Sequence, residues 1–152
     1  MPNMTDQNTV NQLLQALFTS STTFTITPGT GGGSAWIVTP PYHLRLMTTQ
    51  GSNTANGTEA TSGNCPGYTA LGSTLGATFC AAPSAGAQTN ANSVTWSATG
   101  TWSAIPSIEI WDTAGTPVRR LQGALTSSIT GVVNGDSVQF AAGAITIGAG
   151  SW

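Results

Sequence analysis

The side chains in this 152-residue sequence that could do acid–base or metal chemistry are few: one histidine, five acids and three arginines. They are His43, then Asp6, Glu59, Glu109, Asp112 and Asp136, then Arg45, Arg119 and Arg120. A nucleophilic triad would need His43 beside an activated hydroxyl or thiol and an orienting carboxylate. Ser and Thr are too numerous to single out a nucleophile, and His43 sits between Tyr42 and Leu44 in a strand-like alternation, as an outward strand residue would. Glu109 and Asp112 are three apart, but one lies on a strand and the other opens a turn, so the spacing does not make them an acid–base pair. Asp112 and Asp136 both stand where an Asp bonds nearby backbone N–H groups in a turn. Cys65 and Cys80 with a single His give no zinc spacing, and scattered acids give no calcium site. The stretch TPGTGGGS (27–34) lacks the Lys and the following helix of a phosphate loop. The expectation is therefore no catalytic, no cofactor-binding and no metal-binding residue, no cofactor, and no hydrolase of cell-wall glycan.

Two further patterns invite chemistry. Asn3-Met4-Thr5 and Asn56-Gly57-Thr58 match the glycosylation sequon, a match that chance supplies in a chain so rich in Asn and Thr. The five tryptophans could stack on sugars, yet Trp102 and Trp111 lie within or beside predicted strands, where packing is the commoner fate.

Composition sharpens this reading. Charged residues are 5% of the chain, against roughly 25% in ordinary soluble domains, there is no lysine, and the net charge is -2. Affinity for nucleic acid rests on about 6–10 cationic phosphate contacts, so nucleic acid is excluded as a partner, and anionic membrane surfaces are disfavoured on the same ground. An apolar fraction of 39% with five Trp supports a folded core rather than disorder. So little charge gives a free monomer little colloidal protection, which predicts life in an assembly. No run of about 18 apolar residues could span a bilayer, and the N-terminus has no basic segment ahead of its apolar stretch, as a secretory signal would. Cys65 and Cys80 are expected to be two buried free thiols, with a disulfide as the alternative.

The elements that must position these residues are mostly strands. Val10, Leu13, Leu14, Leu17 and Phe18 fall on one stripe at helical spacing, capped by Thr5 or Asp6. The helix has a neutral Asn/Gln polar face and must dock on something to persist. Beyond residue 28, YHLRLMT (42–48) alternates, and SVTW (93–96) and SIEIW (107–111) follow. In the last of these Ile108 and Ile110 are expected inward and Glu109 outward. VRRLQGAL (118–125), SSITGVV (127–133), SVQF (137–140) and AITI (144–147) complete the set. Asn134-Gly135 predicts a two-residue hairpin joining 127–133 to 137–140. Residues 50–67, with a short edge strand near 58–61, and 82–92 read as exposed loops. Short strands separated by Gly/Asn/Asp turns predict an all-β, antiparallel β-sandwich, jelly-roll-like, with a short N-terminal helix. The division is residues 1–33 as helix and flexible arm and 34–152 as the β-sandwich domain. Its core should gather Ile108, Ile110, Leu121, Leu125, Val138, Phe140, Ile145 and Ile147.

The ordered series of motifs in the C-terminal two-thirds resembles a family of small phage virion proteins commonly labelled tail-fibre proteins. The series runs Trp102, then Ile108-Glu109-Ile110-Trp111-Asp112, Leu121-Gln122-Gly123-Ala124-Leu125, Gly135-Asp136 and Val138-Gln139-Phe140. Ala141-Ala142-Gly143 and Ile145-Thr146-Ile147 close it, while Leu44-Arg45-Leu46, Gly57-Thr58-Glu59 and Gly67-Tyr68 are similar to upstream segments of that family. The resemblance spans roughly residues 42–148 and implies a non-enzymatic virion protein. Such genes encode capsid decoration proteins as well as tail components. Low charge and small polar side chains suit extensive uncharged contacts without buried-ion desolvation. The expectation is a decoration (cement or minor capsid) protein, a homotrimer seated on the major capsid protein at the outer capsid surface. The alternative is a tail-associated fibre subunit or a glycan-binding receptor module.

Overall fold

The computed structural model describes residues 24–26, 36–38, 42–69, 87–113 and 115–148. These form ten strands: β1 (Phe24–Ile26), β2 (Trp36–Val38), β3 (His43–Thr49), β4 (Thr58–Glu59), β5 (Ala87–Thr89), β6 (Val94–Ser97), β7 (Ile105–Trp111), β8 (Arg119–Ile129), β9 (Ser137–Phe140) and β10 (Thr146–Gly148). The predicted helix at 10–18 lies outside the described residues, as do Cys80 and Asp6. Every strand pairing is antiparallel, as expected for this all-β chain. The described strands group as one four-stranded sheet, β4-β3-β7-β8, and the ribbons β1-β2, β5-β10 and β6-β9. β1, inside the predicted N-terminal arm, pairs with β2 of the predicted β-domain, Phe24 opposite Val38. No helix of the described residues is long and apolar enough to cross a membrane.

The four-stranded sheet is the frame, and its register explains its two faces. Leu44 pairs with Ile110 and Ile110 with Leu121; one step along, Leu46, Ile108 and Gly123 line up. Because side chains alternate sides along a strand, these rows face one interior. The row between them, Arg45, Glu109 and Gln122, faces the other way. The interior holds Tyr42, Leu44, Leu46, Tyr68, Trp96, Trp102, Ile105 and Ile110 among its buried members. Of the eight residues predicted for the core, Ile110, Val138, Ile145 and Ile147 are buried, and Ile108, Leu121, Leu125 and Phe140 pack against them partly exposed. The aromatic centre was not predicted. Tyr68 stacks on Trp96 with ring centroids 6.2 Å apart and meets Trp102 edge-on at 6.4 Å, while Trp96 meets Phe140 edge-on at 6.0 Å. Each indole N–H finds a carbonyl, Trp96 at Thr69 and Trp102 at Pro66, so burial leaves neither donor stranded.

Three expectations about the chain path are corrected. The predicted strands 118–125 and 127–133 are one strand, β8, in which residues 125–128 bulge opposite Pro106 between the pairs Ser107–Ala124 and Ile105–Ile129. Proline has no N–H to offer the ladder, so the partner strand must step out there. Asn134-Gly135 does form a tight turn, with Gly135 at φ +92° and Asp136 N–H donating to the Val133 carbonyl, but it does not join a hairpin. Gly135 N–H donates to Ala98 O and Ala98 N–H to Asp136 O, which docks the turn beside β6. The outgoing β9 then pairs with β6, Val138 opposite Trp96 and Phe140 opposite Val94. The tract 82–92 is not wholly a loop. Its part 87–89 is β5, and Asn90 is buried with its Oδ1 accepting from Ile145 N–H and its Nδ2 donating to Asn92 O and Ala141 O.

Candidate functional site

The unusual chemistry of the molecule is on the second face of the four-stranded sheet, where the few charges meet. Glu109 was expected to point outward into water. It does point away from the core, but it is only 1% exposed. The loop 51–57 lies over it. Glu109 Oε1 accepts from Gly57 N–H at 2.8 Å and from Arg119 Nη1 at 2.9 Å, and Oε2 accepts from Trp111 Nε1 at 2.9 Å. Arg119 also donates to the carbonyls of Ser52 and Ala55 and to Gln122 Oε1, and Gln122 in turn donates to Asn53 Oδ1. A buried pair is tolerable only when its remaining donors and acceptors are satisfied, and this set of bonds does so by tying a loop to a sheet.

Two glycines let the loop come that close. A Cβ on Gly51 would lie 2.6 Å from Glu109 Oε1 and 2.7 Å from Gly57 N, and one on Gly57 would strike the Thr49 carbonyl oxygen. Their role is approach, since the backbone must sit against the carboxylate.

Arg45 and Glu59 form a neighbouring pair at 2.8 Å. The Arg45 guanidinium lies over the Trp111 ring, 4.4 Å from its centroid, a cation–π contact. The other Glu59 oxygen accepts from the Tyr68 hydroxyl at 3.0 Å, and that hydroxyl accepts from Leu46 N–H at 3.2 Å. Tyr68 thereby links the aromatic interior to the polar face. Burial pushes its hydroxyl pKa well above the ordinary tyrosine value. A third pair joins Arg120 to the fully buried Asp112, whose other oxygen accepts from Val118 N–H and closes the β7–β8 connection.

All three arginines are thus paired, and three of the five acids are their partners. Asp136 takes its predicted turn role, accepting from Val133 N–H at 2.9 Å. Glu109 and Asp112 both have both oxygens engaged by donors, so each is a structural acceptor. His43 lies on β3 opposite Trp111, and its pKa is lowered, first by burial and then by Arg45. Cys65 is a buried free thiol, raised in pKa by its burial. Of the tryptophans weighed for sugar stacking, Trp102 is buried at 5% exposure and Trp111 carries the Arg45 guanidinium on its ring. Among the described residues no three of His, Cys, Asp and Glu gather to hold a metal.

Sequence reasoning missed this clasp. Its available signal was the cross-strand row Arg45, Glu109, Gln122, together with two glycines flanking a neutral loop. Residues 4–148 match the sequence model of a family described as Podophage GP4 fiber I protein gp80, which extends the resemblance of 42–148 towards the N-terminus. No curated protein matches the chain.

Proposed function

The chain belongs to the podophage fibre I protein family, and from that premise we propose that it is a non-enzymatic structural subunit of the phage virion, placed in the tail fibre and self-associated as a homotrimer. The observation that supports this best is the internal use of charge: the three arginines satisfy acids within one sheet and leave no described cation for an anionic ligand. A surface of small neutral side chains suits close protein–protein contact, where unpaired buried ions would oppose association. A seat on the major capsid protein, as a decoration protein, was the first expectation from sequence. The neutral surface that suggested it suits a fibre equally, and the fibre description of the family favours the tail reading.

Labelling the protein on intact particles and measuring its copy number per virion tests this reading. The fibre reading expects label at the tail and a low copy number. Label spread over the shell in many copies overturns it in favour of capsid decoration.

A further inference from the structure

The sequence holds two Asn-Gly pairs, Asn56-Gly57 and Asn134-Gly135. Such a pair carries a reactivity of its own. The glycine nitrogen, its N–H proton lost to hydroxide or buffer base, attacks the side-chain carbonyl carbon of the asparagine. The new C–N bond closes a succinimide ring, and the side-chain nitrogen leaves as ammonia. Water then opens the ring at either carbonyl and gives aspartate or isoaspartate. Glycine is the favourable neighbour because no Cβ obstructs the swing of its nitrogen onto the side chain. Asn56 and Asn134 are both exposed, so what the fold does to the glycine N–H decides their fate.

In Asn56-Gly57 the attacking nitrogen is the one that the clasp holds. Gly57 N–H donates to Glu109 Oε1 at 2.8 Å, and on the other side of Asn56 the Ala55 carbonyl accepts from Arg119 Nη1 at 2.8 Å. These two bonds keep the backbone from turning. Loss of the Gly57 proton would set a second negative charge against the carboxylate. Glu109 is itself a poor base for that proton, because Arg119 and Trp111 already hold its oxygens. Asn134-Gly135 is held differently, by backbone alone: Gly135 N–H donates to the Ala98 carbonyl at 2.9 Å in the turn beside β6. One pair therefore reports on the clasp and the other on the β6–β9 ribbon.

We propose that Asn56-Gly57 is a self-modification site that the Glu109–Arg119 clasp keeps latched, and that its conversion runs one way. Isoaspartate inserts an extra carbon into the main chain and adds a carboxylate one residue from the Gly57–Glu109 contact. The loop has room for neither, since even a Cβ on Gly51 or Gly57 would press on backbone or carboxylate atoms. A loop that opens long enough to react does not close again. This inference does not depend on where in the virion the protein sits.

The test incubates the full chain in mildly alkaline buffer and follows amide-to-acid conversion and isoaspartate at both sites by peptide mass spectrometry. A hydrogen bond to a charged group is worth about tenfold or more in the ratio of closed to open states. Asn56 in the folded wild type should therefore convert at least about tenfold more slowly than in the urea-unfolded chain. In Glu109→Leu/Arg119→Met, shown folded by circular dichroism, Asn56 should speed up about tenfold while Asn134 keeps its wild-type rate. Should that variant fail to fold, the wild type in urea below its unfolding midpoint is read in its place, where Asn56 should convert before Asn134. In aged wild-type samples protease should cut within 51–57 in the converted chains alone. Folded wild-type Asn56 reacting at the unfolded rate, or a folded variant in which it is no faster, overturns the latch. Asn56 and Asn134 speeding up together overturns it as well, because the fold as a whole then protects both. Converted chains that resist the protease overturn the one-way step.

Discussion

One sheet of this protein carries two different solutions to burial. On the core side of β3, β7 and β8, Leu44, Ile110 and Leu121 lie in a row and bury by hydrophobicity against a cluster of aromatic rings. On the opposite side the next row, Arg45, Glu109 and Gln122, is covered by a polar loop and held by hydrogen bonds and ion pairs. The first side is stabilised by area removed from water and needs only shape. The second is stabilised by completeness, because a buried pair contributes only while every partner stays in place. The two sides should therefore fail differently. Removing a core group should cost in proportion to its size; removing one member of the clasp should cost more than its size suggests, while replacing the whole pair should cost less than removing one member.

The largest effect expected is on the core side. Trp102→Ala removes a buried ring from the aromatic cluster, so chemical denaturation should show a loss of about 3–5 kcal/mol. Next is the clasp. Glu109→Ala leaves Arg119 buried beside carbonyls alone and should cost about 3 kcal/mol, with the loop 51–57 becoming a site of protease cleavage. The double variant Glu109→Leu/Arg119→Met removes the uncompensated charge and should recover part of that loss, the Gly57 and Trp111 N–H groups still lacking their acceptor. If the double variant is as unstable as the single one, the ion pair is not what holds the loop, and the contrast between the two sides collapses.

How much of this was legible in the sequence follows the same division. Alternation placed Leu44, Leu46, Ile108 and Ile110 on one face of strands that exist, because a period of two in apolar residues reports the face that meets a core. The same alternation called Glu109 exposed, since polar residues opposite a core usually meet water. It could not know that loop 51–57, itself almost without apolar residues, returns across the face; that is a long-range contact, Gly57 to Glu109, with no local signature. The Asn134-Gly135 turn was readable because its chemistry is local, whereas its strand partner was not, because β9 chooses β6 through packing of Val138 and Phe140 against Trp96 and Val94. Asn90 was assigned to a loop on composition, yet it is the buried hub joining β5 to the 141–145 segment. Asn, Ser and Thr mark solvated loops in most chains; in one with so few charges they also carry its buried hydrogen bonding.

A third and smaller effect tests the approach of loop to sheet. Gly57→Ala keeps every charge and adds one methyl group against the Thr49 carbonyl oxygen. Overpacking of this kind costs about 1–3 kcal/mol, and unlike Glu109→Ala it should not be relieved by replacing the ion pair. Adding Glu109→Leu/Arg119→Met to Gly57→Ala separates steric from electrostatic closure. An Ala at 57 with wild-type stability would show that the loop has slack and that the glycine is not required for contact.

The smallest effect expected lies at the residue that joins the two sides. Tyr68 stacks in the aromatic interior and donates its hydroxyl proton to Glu59 on the polar face, and burial raises its pKa above the ordinary value of 10.0. As pH rises past 10 the unfolded chain loses this proton while the folded chain keeps it. The folded state then binds more protons than the unfolded one, and stability must fall with rising pH. One unit beyond that point, near pH 11, the loss attributable to Tyr68 should be about 1.4 kcal/mol. Tyr68→Phe removes the titrating group and should lower stability at neutral pH through the lost hydrogen bonds, yet flatten the alkaline limb. Thermal unfolding of both proteins between pH 8 and 11 measures the difference in slope. Parallel alkaline limbs would mean that Tyr68 ionises as freely in the fold as out of it, and the hydroxyl would then not bridge the dry interior to the clasp.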